Sequence, residues 1–191
     1  MINLSMIMQV KENTRREIES KLEGMGDYVK MDYLSSCLKK QIDFDTRKFV
    51  LMTLAGIYEK RSIYVEAGKL YRASAEINTT TQSKINDYLK SCNVFIRAGE
   101  FDEAEVSFNR ALSSGNEIEK KRIKETLKEY YTKQAKEFLK RDKRKHAMDT
   151  YERLLTLDLN LEEKKLVKEQ LLDLYHKLGK VREYLNLKKT L

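Results

Sequence analysis

The chain has 191 residues, of which 41% are hydrophobic and 36% charged, and a formal net charge of +8. That length supports one domain or one short array of repeats. No stretch approaches the length needed to cross a bilayer, and the charge permits contact with nucleic acid, anionic lipid or acidic peptide without demanding any of them.

There is no Pro and there are only seven Gly, so helices meet few breakers. Strand-like alternation is nowhere sustained, and the fold class is all-α. The opening, Met1 to Val10, is apolar but lacks a basic leader and a small-residue cleavage site. It reads as a brief helix covering the first repeat rather than as a secretion signal. The two cysteines, Cys37 and Cys92, stand at no metal or redox spacing. Both fall on apolar helix faces as inert buried thiols, which suits a reduced, cytoplasmic setting.

In chain order, Ile18 and Leu22 share one face of a first helix, which Gly24 and Gly26 break. Asp27 is the expected cap of a second helix, with Tyr28, Met31 and Leu38 facing inward. A third helix carries Val50, Leu51, Leu54, Ala55 and Tyr58. A short turn at Lys60 to Ser62 leads to Tyr64, Ala67, Tyr71 and Ser74. Thr79 with Gln82 has capping-box spacing, so a helix with Ile85, Tyr88, Cys92 and Phe95 starts there. In the next stretch Phe101, Ala104, Phe108 and Ala111 recur at steps of three and four, on one helix face. Asn116 with Glu119, and Asn160 with Glu163, repeat the capping-box spacing. The first opens an unusually long helix to about Arg141 bearing Ile123, Leu127, Tyr131, Ala135 and Phe138. The charged run Lys140 to Lys145 reads as a solvated turn before Ala147, Tyr151, Leu154 and Leu155. The second opens a helix with Leu171, Leu172, Tyr175 and Leu178, stopped by Gly179.

Met31, Ala67, Ala104, Ala147 and Tyr184 recur at spacings of 36, 37, 43 and 37 residues. A period in this range marks stacked helical hairpins. The expected architecture is a right-handed α-solenoid of about five antiparallel helix pairs in a single domain, 1–191, with repeats near 11–41, 44–78, 81–114, 116–158 and 160–191.

These residues resemble the tetratricopeptide repeat. Phe95, Gly99, Phe101, Ala104, Phe108 and Ala111 follow its pattern in the third unit. Leu54, Ala55, Tyr58, Tyr64, Ala67 and Tyr71 follow it in the second, and Ala135, Phe138, Ala147, Tyr151 and Leu154 in the fourth. The likeness weakens at both ends. Units longer than about 34 residues are similar to those of the soluble NSF attachment proteins. The resemblance implies a non-enzymatic scaffold or adaptor that binds another protein in a concave groove. The ligand-facing positions it implies include Asn93, Arg97, Lys133, Lys136 and Lys140, with Leu89 and Leu166 among the apolar ones.

Between Glu117 and Lys145 there are 12 Lys and Arg against 6 Asp and Glu. This run fits either a solvated helix or a groove for an acidic protein segment. The alternative function is a nucleic-acid-binding accessory protein using this basic fourth repeat. No phosphate-binding Gly loop, metal-ligand spacing or catalytic constellation is present in the sequence, so no cofactor, metal or enzymatic activity is expected. His146 and His176 read as solvated or edge-packed side chains. Apolar residues near the last helix, Leu187 and Leu191, leave pairing of two copies open.

Overall fold

The computed structural model describes residues 10–190, so the helix expected over Met1 to Val10 lies outside the described residues, as does Leu191. Ten helices follow in order: α1 (Arg15–Leu22), α2 (Asp27–Cys37), α3 (Phe44–Lys60), α4 (Tyr64–Ile77), α5 (Thr81–Ala98), α6 (Phe101–Ser114), α7 (Glu117–Lys140), α8 (Arg144–Leu155), α9 (Leu161–Lys177) and α10 (Val181–Lys188). The described residues contain no strand. They are divided between two compact units. One comprises the residues up to Phe95 together with Glu103–Gly115. The other comprises Ile96–Asp102 and the residues from Asn116 onward.

The helices start where side chains satisfy their free N–H groups. Asn116 and Asn160 each accept from the backbone N–H three residues on, at 2.9 and 2.8 Å, and Glu119 and Glu163 return the bond. Thr14 and Glu17 form a third capping box, before α1. Two expected caps move. Asp27 is the first residue of α2, whose N-cap is Gly26 with no side-chain bond. At α5 the capping hydroxyl is that of Thr80, 3.3 Å from the N–H of Ser83, rather than that of Thr79. One residue of shift is within what a run of three threonines leaves undecided.

Four turns share one backbone geometry. Ser62, Gly99, Asp142 and Gly179 all have positive φ, at 62°, 82°, 53° and 66°. Each donates its N–H to the carbonyl three residues back, at 3.0 to 3.2 Å. In three of them the next N–H reaches five residues back: Ile63 to Tyr58, Lys143 to Phe138 and Lys180 to Tyr175, at 2.8 to 2.9 Å. This is the bonding that closes a helix through a left-handed residue. The following helix begins two residues after each of the four, and Ala67, Ala104, Ala147 and Tyr184 then fall at its fourth position. The three alanines are fully buried. The run from Lys140 to Lys145 is therefore one of these turns.

In the first unit, Ile18, Leu22, Tyr33, Leu34, Cys37, Val50 and Leu54 form a core between α1, α2 and α3. Lys40 fastens its edge, donating to the carbonyls of Val10 and Glu12 and to Asn13 Oδ1 at 3.1, 3.0 and 2.7 Å. Of the residues expected inward on α2, Met31 and Leu38 pack half-buried against this core, but Tyr28 does not. Tyr33, Leu34 and Cys37 are buried, whereas Tyr28 is 64% exposed and lies under the Arg61 guanidinium, 3.9 Å from its ring. The first turn carries Met25 and Gly26 after its left-handed Gly24, so the register that aligns Met31 with Ala67 does not hold there. Further along, α3 packs on α4, and α4 approaches α5 so closely that a Cβ on Gly68 would stand 2.7 Å from the Phe95 ring.

Polar side chains bind the rest of this unit. Ser91 donates to the Gly68 carbonyl at 2.8 Å and lies 2.9 Å from the Ser107 hydroxyl. Arg72 donates to Ser107 and to the Glu103 carbonyl, and pairs with the Glu103 carboxylate at 2.7 Å. Ser74 and Asn78 both donate to the buried Asp87 carboxylate, at 2.9 and 2.8 Å. Buried polar atoms need such partners.

In the second unit α8 packs against both α7 and α9, and α9 against α10. The buried faces are Ile123, Leu127, Tyr131, Ala135 and Phe138 of α7, Ala147, Met148, Tyr151 and Leu154 of α8, and Val167, Leu171, Leu174 and Tyr175 of α9. Phe101 lies against Tyr131, ring centroids 5.9 Å apart, and Arg153 reaches over Phe101 to pair with Asp102. No residue of α10 is buried.

Candidate functional site

The long helix α7 is amphipathic at a period of 3.6. With Ile123, Leu127, Tyr131, Ala135 and Phe138 turned to the core, Lys133, Lys136 and Lys140 fall together on an exposed stripe. The first turn of α9 lies beside the middle of α7, because Glu163 reaches Lys128. Between the two helices runs an open groove of about 460 Å³, lined by Glu125, Lys128, Glu129, Thr132, Lys133 and Lys136 of α7 and by Glu163 of α9.

Lys128 is the most enclosed of these lysines, its side chain only 14% exposed. Its ammonium stands 3.2 Å from Glu125 and 3.4 Å from Glu163. Burial pulls its pKa down, but hydrogen bonding to Glu125 and the charge of Glu163 outweigh that, and the pKa ends above its ordinary value. Glu163 does two jobs at once. The same Oε2 atom accepts from the Asn160 N–H at 2.8 Å, closing the capping box, and faces Lys128.

Lys133 and Lys136 are exposed and one helical turn apart, and neither forms an ion pair with another described residue. Lys140, a turn further on, is not in the groove lining and pairs with Glu137 at 2.9 Å. That pair holds Glu137 below the usual carboxylate range. Asn93 and Arg97 are half-buried on α5, Asn93 in the first unit and Arg97 in the segment grouped with the second. Of the five candidate residues, the structure thus brings Lys133 and Lys136 together. Lys128 and Glu163 are additions that sequence reasoning missed. The single cue was the capping glutamate, which sequence reads only as a cap. Among the apolar positions, Leu89 is buried on α5, whereas Leu166 is 62% exposed on α9.

The groove offers ammonium, carboxylate and hydroxyl groups for ion pairing and hydrogen bonding. Three lysines face three glutamates, so its charge is mixed rather than uniformly basic. The histidines are apart from it, His146 tilted against Phe138 and His176 against Tyr184. Among the described residues no cluster of three or more His, Cys, Asp or Glu side chains is arranged to hold a metal ion. No described helix is long and apolar enough to cross a membrane. Compared with known proteins, the chain matches no protein-family model and no curated sequence at a significant level.

Proposed function

We propose that this protein is a non-enzymatic interaction scaffold, a divergent tetratricopeptide-like array of about five helix pairs wound into a right-handed solenoid, acting in the cytoplasm. Its partner is another protein, held as an extended or helical segment along the first helices of successive pairs. The four equivalent turns and the buried alanines at their matched positions support the repeat reading. The observation that carries the functional reading is the α7–α9 groove. There Lys128 is already neutralised within the protein, while Lys133 and Lys136 stand exposed and unpaired beside Thr132. Two free ammonium groups one turn apart match carboxylates on an acidic segment, with Thr132 able to bond its backbone.

The test compares proteins retained from cell extract by the wild type and by Lys133→Glu/Lys136→Glu, with Lys39→Glu, on the solvated edge of the first unit, as control. A subset of partners, enriched in acidic segments, should be lost only from the double variant. Identical partner sets for all three proteins would defeat the reading. Retention on RNA with a steep salt dependence would instead favour nucleic acid. The glutamates of the groove speak against that second reading.

A further inference from the structure

We infer that α10 is a docking face for an acidic amphipathic helix of a partner protein, at a surface separate from the α7–α9 groove and independent of it. The helix rests on α9 through its half-buried Tyr184 and Leu187, with the Tyr184 ring 6.1 Å from that of His176. Lys168 fastens its far end, donating to the Thr190 hydroxyl at 3.0 Å. With that side packed, Val181 and Leu185 form a stripe one turn long on the other side, 65% and 52% exposed. Such a stripe on an otherwise polar helix is what helix-in-groove and helix-on-helix recognition uses as an anchor.

The charges around the stripe choose the occupant. Arg182, three residues before Leu185, and Lys188 and Lys189, three and four after it, are its neighbours on the helix surface. All three are exposed and none forms an ion pair with another described residue. The one carboxylate on α10, Glu183, is 3.6 Å from Lys180. Lys188 also lies 5.8 Å from the centre of the Tyr184 ring. An apolar anchor ringed by three cations that lack a carboxylate partner is complementary to an apolar stripe ringed by carboxylates. A second copy of the same face would oppose cation to cation. A lipid surface is the poorer match, because two apolar residues give little area to insert.

The experiment uses the full chain and a phage-displayed library of twelve-residue helices with leucines fixed at i and i+4 and flanking positions varied among Glu, Lys and Ser. Selection on the wild type should enrich Glu at the flanks. A synthetic copy of the enriched helix should bind Leu185→Ser about tenfold more weakly, the loss of one buried apolar anchor. Arg182→Glu/Lys188→Glu/Lys189→Glu should select Lys instead, a gain that a merely unfolded variant would not show. Lys133→Glu/Lys136→Glu should select the same helices as the wild type, which separates this face from the groove. Enrichment without charge preference, or binding insensitive to Leu185→Ser, would overturn the inference. So would Leu185-dependent dimers in sedimentation equilibrium, or Leu185-dependent binding to phosphatidylserine vesicles in preference to the selected helix.

Discussion

Gly68 gives the sharpest test of how the first unit is packed. It sits inside α4, where Gly is ordinarily the poorer choice by about 1 kcal/mol relative to Ala. A Cβ built there meets three carbons of the Phe95 ring at 2.7 to 2.8 Å. Ordinary contact begins near 3.4 Å, so the ring would have to retreat by more than half an ångström. Phe95 is fully buried and Arg72 stacks on it at 4.9 Å, which leaves little room for that movement. Overpacking of this kind costs about 1–3 kcal/mol, and the helix preference of Ala offsets about 1 kcal/mol of it. Gly68→Ala should therefore lose up to about 2 kcal/mol of stability, or up to roughly 8 °C in Tm for a chain of this size, and gain none. Gly56, in the interior of α3, has nothing within 4 Å of its built Cβ. The same substitution there should stabilise by about 0.5–1 kcal/mol. The pair is measured by thermal and denaturant unfolding, and Phe95→Leu should relieve the Gly68→Ala penalty in a double-mutant cycle. If Gly68→Ala stabilised as Gly56→Ala does, the close approach of α4 and α5 would be wrong.

Ser62 and Asp142 hold left-handed backbone positions that Gly occupies in the two equivalent turns. Ser62→Gly should raise stability by about 0.5–1 kcal/mol. Asp142→Gly should raise it by less, since Asp tolerates this conformation better; a loss at Ser62, read from denaturant midpoints, would contradict the shared geometry. Cys37 and Cys92 are buried, and burial pushes the Cys92 thiol up to about 12. Both should resist a thiol-titrating disulfide reagent in the native protein and react fully in denaturant; prompt native reaction would refute their placement. Stability should also fall at both pH extremes. Cys92, Tyr151, Tyr175 and Lys128 have raised pKa values, so their contribution is complete below their ordinary values, 9.0 for Cys and 10.5 for Lys, and is lost as pH rises beyond them. Glu17, Asp43, Glu117 and Glu137 are held below the usual carboxylate range by hydrogen bonds, so theirs is lost as pH falls past the ordinary 4.5 of Glu and 3.8 of Asp. Unfolding midpoints measured across pH check both signs.

Local chemistry made most of the helix boundaries legible. A cap, its partner three residues on and a stopping residue lie close together in sequence, so α7 and α9 begin where Asn116 and Asn160 predict. The inward faces of α5 and α7 follow from spacing alone. On α9 spacing finds Leu171 and Tyr175, but the other buried residues are Val167 and Leu174, while the expected Leu172 and Leu178 are half-buried. At α2 spacing placed Met31 and Leu38 against the core but misplaced Tyr28, because both Tyr28 and Tyr33 suit an apolar stripe. What separates them is Arg61, 33 residues from Tyr28, which gives the exposed ring a cation to lie under. The buried network of Ser91, Ser107 and Arg72 was equally invisible, since nothing local distinguishes those serines from solvated ones.

The same distance problem governs the candidate site. Counted along the chain, the stretch from Glu117 to Lys145 carries an excess of six positive charges and suggests a basic surface. Folding redistributes that charge. Lys140 is matched by Glu137 on its own helix, and Lys128 is matched by Glu125 and by Glu163, which arrives from a helix 35 residues away. Among the lysines that line the groove, Lys133 and Lys136 are the two without an ion pair to another described residue, two charges at a defined spacing beside three glutamates. A field of many cations attracts any polyanion and weakens steeply with salt. Two ammonium groups flanked by glutamates attract an anion that aligns with them, while the glutamates repel one that does not, so on the proposed reading the glutamates that reduce overall attraction also set the register in which a ligand is accepted. The groove should therefore select acidic segments by the position of their carboxylates more than by their number.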